Sequence, residues 1–209
     1  MKLQETYETY YLGISFGFFT ITLIMFPSFI KLYSSGITDI NYVDPILPYL
    51  FVALNILMYA RRTSSQIINF AGHFKQTQWR SVLESVINLI VSLIMVYKFG
   101  IYGVLIGTIA ALLYRTNDVI IYANWNILGR QPWKTYRRWA INLGAMCLLT
   151  VGINSVLGPI SNYVQWFMNA MWVGIVCMVG FVCVDSIFDP QSYRMVKGMV
   201  LGFLKKRKN

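Results

Sequence analysis

The chain has 209 residues, of which 56% are hydrophobic and 12% charged, about half the charged share of an average soluble domain. So few charges do not coat a water-facing surface, which excludes a soluble fold. The net charge of +10 does not point to nucleic acid, because the basic residues sit in short connections between apolar segments and in a terminal tail, where anionic lipid headgroups lie.

Six apolar stretches follow in chain order, at about residues 10–33, 46–70, 81–98, 101–123, 139–157 and 164–185. Each is near the ~20 residues an α-helix needs to cross a ~30 Å hydrocarbon core. Unpartnered backbone groups are costly in hydrocarbon, so only helices or a closed barrel cross it, and runs such as Val173 to Val184 lack the alternation of barrel strands. The sequence therefore predicts an all-α polytopic membrane protein, with six transmembrane helices in residues 1–188 and a basic juxtamembrane segment in 189–209. In that segment Asp189-Pro190 reads as an N-cap followed by proline at the first helical position. It opens an amphipathic helix expected on the inner membrane surface.

The connections alternate in basic content. Lys75 and Arg80 follow the second stretch, Arg130, Lys134, Arg137 and Arg138 the fourth, and Arg194, Lys197, Lys205, Lys206, Arg207 and Lys208 the sixth. The other side carries Asp39 and Asp44, a tight turn at 98–100, and residues 158–163. By the positive-inside rule both termini of this multi-pass chain are expected to be cytoplasmic. Tyr42, Tyr49, Tyr97, Tyr102, Tyr163 and Trp166 mark the outer headgroup level, and Trp79, Trp125, Trp133 and Trp139 the inner one. The first stretch is too long for a signal-peptide core and has no cleavage pattern after it, so it is expected to remain in the mature protein. Pro27 is a possible kink in it. Gly100, Gly103 and Gly107 stand at small-residue spacing, which predicts close approach of a neighbouring helix. Cys147, Cys177 and Cys183 show no CxxC spacing and are expected to be small core residues, not zinc ligands or disulfides.

Polar residues recur inside the spans. Asn55, Tyr59, Arg62, Gln66 and Asn69 step by four, three, four and three, along one side of a helix. Ser81, Ser85, Asn88 and Ser92 repeat the device beside Glu84, and Thr108, Arg115, Asp118 and Tyr122 repeat it again. At 1.5 Å per residue, Arg61, Arg62 and Arg115 lie ~20 Å from the outer edge of the core, and Glu84 and Asn88 enter the same layer from the opposite side. A charged cluster shared by three helices is expected. In one reading Arg61, Arg62 and Arg115 bind an anion in a wet cavity, Asn55, Gln66, Asn69 and Asn88 donate to sugar hydroxyls, and Glu84 and Asp118 are charge partners. In the competing reading the guanidiniums snorkel to headgroups or are neutralised by Glu84 and Asp118, and the amides make interhelical bonds. His73 is the only histidine and reads as a loop residue, and no DxD or HExxH occurs. The chain is therefore expected not to be an enzyme, and no metal or cofactor is expected.

The run Ala71-Gly72-His73-Phe74-Lys75-Gln76-Thr77 is preceded by Arg61-Arg62 and followed by Phe99-Gly100-Ile101-Tyr102-Gly103-Val104-Leu105-Ile106-Gly107-Thr108. Together with Pro27-Ser28-Phe29-Ile30-Lys31-Leu32-Tyr33 and Tyr42, it resembles the C-terminal half of the polysaccharide (O-antigen, capsule or teichoic-type) flippases of the multidrug/oligosaccharidyl-lipid/polysaccharide exporter superfamily. The resemblance implies a lobe, multi-pass in a bacterial plasma (inner) membrane, that moves a polyprenyl-pyrophosphate-linked oligosaccharide to the outer leaflet by alternating access. Its partners would be membrane lipid and either a missing N-terminal lobe or a second six-helix chain. Two alternatives stand beside it: a cation-coupled multidrug exporter of the same superfamily, and a non-transporting membrane subunit or fragment.

Overall fold

The structure is a computed structural model that describes residues 2–37 and 42–206, with side chains to residue 199. The described residues fold into helices and contain no strand, as expected for an all-α polytopic membrane protein. Asp39 and the side chains of Lys205, Lys206, Arg207 and Lys208 lie outside the described residues.

Helix α1 (Lys2–Tyr33) runs unbroken through Pro27. It is followed by α2 (Leu47–Ala60), α3 (Arg62–Phe70), α4 (Phe74–Phe99) and α5 (Ile101–Tyr122), which continues into a π-helical turn at Ala123–Ile127. Then come α6 (Trp133–Val156), α7 (Tyr163–Phe188) and α8 (Pro190–Lys206). Five of these, α1, α4, α5 with its π-turn, α6 and α7, are each long and apolar enough to cross a membrane. The remaining expected span, residues 46–70, is broken at Arg61 into α2 and α3. No proline or glycine causes the break. The Arg61 N–H turns to the Tyr59 carbonyl, and Leu57 O, the acceptor Arg61 would use in an unbroken helix, takes the Thr116 hydroxyl of α5 at 3.1 Å. A side chain has entered the i→i−4 ladder, a recognised cause of a kink.

The helices also extend beyond the apolar stretches: α1 begins at Lys2, α4 at Phe74 and α6 at Trp133. Hydropathy marks the lipid-buried segment, whereas backbone hydrogen bonding continues into the interface, where water, caps and ion pairs satisfy the ends. Asn162 caps α7 through its Oδ1, which accepts from Gln165 N at 2.7 Å. Asp189 Oδ1 accepts from Ser192 N at 3.4 Å, the N-cap expected for α8.

α1 is the central element. Its Leu12, Phe16 and Leu23 are buried with Val52 and Ile56 of α2, Ala145 and Met146 of α6, and Phe181 of α7. Farther along, Ile24 and Met25 pack with Ile153, Val173 and Cys177. On the other side of α2 lies α5, and α4 packs chiefly on α5. In lipid the association of such helices rests on close packing and not on removal of water. The α4–α5 hairpin shows how. Gly100 turns the chain between them at φ +55°, which an L side chain rarely adopts. A Cβ on Gly103 would lie 2.3 Å from the Met95 carbonyl carbon, and one on Gly107 2.2 Å from Ser92 Oγ, so the missing side chains let α5 lie against the α4 backbone.

Two cysteine expectations need correcting. Cys177 is buried, but Cys147 and Cys183 are exposed on the helix surface. Both lie in apolar segments, where a side chain facing lipid is as apolar in its surroundings as one in a core. The starts of α1 and α8 meet, with the Thr6 hydroxyl 3.3 Å from Met195 Sδ, so both lie at one end of the bundle.

Candidate functional site

The break at Arg61 points the two consecutive arginines in different directions. Arg61 Nη1 donates to Glu84 Oε1 of α4 at 2.8 Å. The other Glu84 oxygen is 3.6 Å from Arg115 Nε of α5. Arg115 also donates to Asp118 Oδ2 at 2.9 Å, one helical turn on, and to Ser81 Oγ at 3.0 Å. Asp118 takes a further ion pair from Arg80 of α4. The guanidinium of Arg80 lies 4.9 Å from the centre of the Tyr122 ring, whose hydroxyl hydrogen-bonds His73 Nδ1 at 3.0 Å and donates to Gln76 Oε1 at 3.1 Å. Three guanidiniums thus share two carboxylates, one positive charge in excess, and all five side chains stay between 12 and 23% exposed.

Arg62 is exposed and makes no ion pair among the described residues. It lines a hollow of about 150 Å³ with Tyr59, Arg61 and Ser65. Ser65 also lines a larger cavity of about 340 Å³ between α3, α4 and α5, into which Asn69, Gln78, Ser81 and Arg115 project. The two spaces share Ser65 in their walls and make a polar recess in two parts, with the unpaired Arg62 lining the smaller part.

The amides do not all belong to this recess. Asn69 lines it, and Gln66 lies half-buried on α3. Asn55 donates to the Phe51 carbonyl of its own helix at 2.8 Å. Asn88 accepts from Ser92 at 2.9 Å and from Thr108 at 3.5 Å, which ties it into the α4–α5 hairpin. The break between α2 and α3 also interrupts the stripe that the spacing drew along one helix face. Arg80, counted with the loop cations, instead joins the ionic cluster through Asp118 from the first turns of α4, because α4 begins well before its apolar stretch.

A second ionic cluster lies where α1 starts, and it was not foreseen. Glu8 is 1% exposed, with Oε1 accepting from Thr135 at 2.6 Å and Oε2 from Arg130 at 2.7 Å and Arg138 at 2.9 Å. Arg138 also donates to Asp189 Oδ2 at 2.8 Å, an atom that accepts from Thr9 at 2.9 Å. Glu5 pairs with Arg130 at 3.0 Å and Lys134 at 3.4 Å. Burial pushes the Asp189 carboxyl up, but the bonds from Arg138, Thr9 and Ser192 outweigh it and hold this group below the usual carboxylate range. The π-helical turn places Arg130 here: Leu128 N reaches back to Ala123 O at 3.0 Å, and Asn124 Oδ1 accepts Arg130 Nε at 2.5 Å. One signal in the sequence pointed this way. Glu5 and Glu8 stand one turn apart on α1, and Lys134 and Arg138 one turn apart on α6, two short stripes of opposite sign.

No family model, no curated protein and no solved structure matches the chain.

Proposed function

We propose that this chain is the C-terminal lobe of a lipid-linked oligosaccharide flippase of a bacterial inner membrane, with the starts of α1 and α8 on the cytoplasmic side. The single observation that carries the reading is the uncompensated positive charge of the ionic cluster that borders the recess. Arg61, Arg80 and Arg115 exceed Glu84 and Asp118 by one charge, and Arg62 adds a second in the smaller part of the recess. An opposite unit charge ~4 Å from a guanidinium gains ~1 kcal/mol in water but ~4 kcal/mol at an effective dielectric of about 20, so a partly dry recess favours an anionic group. The forked donors of arginine suit a pyrophosphate, and Asn69, Ser65 and Ser81 offer hydrogen bonds to sugar hydroxyls. Both carboxylates of the cluster are engaged by arginines, which favours anionic cargo over a cationic drug. The second half of the transporter would come from another lobe or another chain.

The test is binding of a polyprenyl pyrophosphate to the full chain in lipid nanodiscs, with the uncharged polyprenol as control. The pyrophosphate is expected to bind at least about tenfold tighter, equivalent to ~1.4 kcal/mol. Arg62→Ala is expected to remove most of that preference and Arg62→Lys to restore part of it. Equal binding of the two lipids, or an unchanged preference in Arg62→Ala, would remove the basis of the reading.

A further inference from the structure

Asp185, in the last turn of α7, is 3% exposed, and Asn142 of α6 is fully buried. The Asn142 amide donates to the Arg138 carbonyl at 3.0 Å and to Asp185 Oδ1 at 3.1 Å. The other oxygens of both residues, Asp185 Oδ2 and Asn142 Oδ1, are buried without a hydrogen-bond partner. They face the same place. A Cβ built on Gly13 of α1 would lie 1.9 Å from Asp185 Oδ2 and 3.8 Å from Asn142 Oδ1, so the glycine is a notch that lets the carboxyl group sit against the α1 backbone. Two accepting oxygens thus meet in one buried notch to which no protein group supplies a donor.

We propose that Asp185 is an exchangeable proton-binding site. Hydronium from the end of the bundle where α1 and α8 start transfers its proton to Asp185 Oδ2. An O–H bond forms, water leaves, and release is the reverse. A carboxylic acid supplies the donor that the notch lacks and spares an unpaired charge in a dry interior. A metal cation would instead require a shell of several oxygens.

The charged and titratable groups around this site say what occupancy does. Arg138 lies one turn before Asn142 on α6, Asp189 one turn after Asp185, and Glu8 reaches Arg138 from α1, while Tyr10 of α1 hydrogen-bonds Ser186 at 3.3 Å. With the proton in place, Arg138 is free to serve Glu8 and Asp189 as observed. Without it, a third carboxylate competes for Arg138, and the clamp between α1, α6 and α7 loosens. Proton occupancy is therefore coupled to how tightly the start of α1 is held, whatever the cargo of the recess at Arg62.

Infrared spectroscopy of the full chain in lipid nanodiscs tests this. Glu5, Glu8, Glu84, Asp118 and Asp189 are ion-paired, and Asp44 accepts from Tyr102 and two backbone N–H groups. Among the described carboxylates a protonated-acid carbonyl band at neutral pH is thus expected from Asp185, and its loss in Asp185→Asn distinguishes it from any band of Asp39, which lies outside the described residues. The band should move in heavy water, titrate away at alkaline pH, vanish in Asp185→Asn, and stay unchanged when sodium replaces potassium. Absence of the band from the wild-type chain at neutral pH overturns the proposal without reference to any variant. So does its loss on adding sodium, which would make the notch a metal site. In Gly13→Ala, where the new methyl displaces Oδ2, the band should shift or weaken, and an unaltered band counts against the notch.

Discussion

Glu8 and Glu84 each hold two arginines, yet Glu8 is 1% exposed and Glu84 is 20% exposed. Around Glu8 the charges balance: Glu5, Glu8 and Asp189 against Arg130, Lys134 and Arg138. Around Glu84 and Asp118 the cations exceed the anions, and the exposed Arg62 stands beside them. Although Glu5 and Asp189 line a cavity of about 420 Å³, the cluster has no net charge in excess to offer a ligand, and its buried centre at Glu8 holds α1, α6 and the α7–α8 junction together. The cluster at Glu84 and Asp118 keeps positive charge in reserve. The same residue types are therefore structural or available for binding according to stoichiometry and burial, not identity.

The sharpest way to break this contrast is Glu8→Gln. It leaves Arg130 and Arg138 buried without a full counter-charge, and breaking a buried pair costs about 3–5 kcal/mol. Folded protein recovered from membranes, read by size-exclusion chromatography in detergent, is expected to collapse. Normal yield would show that the cluster does not hold the helices. Next in size is Gly107→Val, whose side chain meets the α4 backbone at Ser92. Overpacking of about 1–3 kcal/mol is expected to lower the midpoint of thermal unfolding, and an unmoved midpoint would contradict the close approach of α4 and α5.

Acidification gives a graded version. The Asp189 carboxyl is held low in the folded chain, so its contribution is fully present above the ordinary carboxylate value of about 4 and is lost as pH falls through the lower folded value. The unfolding midpoint should drop in that acidic window, and Asp189→Asn should flatten the drop. Smallest of all is the effect of Arg62→Ala on stability, expected within about 0.5 kcal/mol because the side chain is exposed and unpaired. A large loss of stability there would place Arg62 among the structural arginines.

Local patterns were readable where both partners lie close in sequence. The hairpin of α4 and α5 follows from Gly100, Gly103 and Gly107, and the pairing of Arg115 with Asp118 follows from their i, i+3 spacing. The break at Arg61 was not readable, because its stabilising hydrogen bond comes from Thr116 on another helix. Nor was the burial of Glu8, whose partners Arg130, Thr135 and Arg138 lie more than 120 residues away. Those basic residues had a sufficient explanation in topology alone, which hid their second use. Asn88 shows the converse: its spacing drew it into a polar stripe, and packing directed it to Ser92 and Thr108.

By itself the sequence determined that the chain is helical and that its apolar segments are of membrane-crossing length, because hydrocarbon demands internal backbone bonding and a fixed length, both of which are local properties. Only the tertiary structure decided which charges cancel and which remain. Ion pairs form between side chains that packing brings within a few ångströms, and no spacing along the chain specifies that distance.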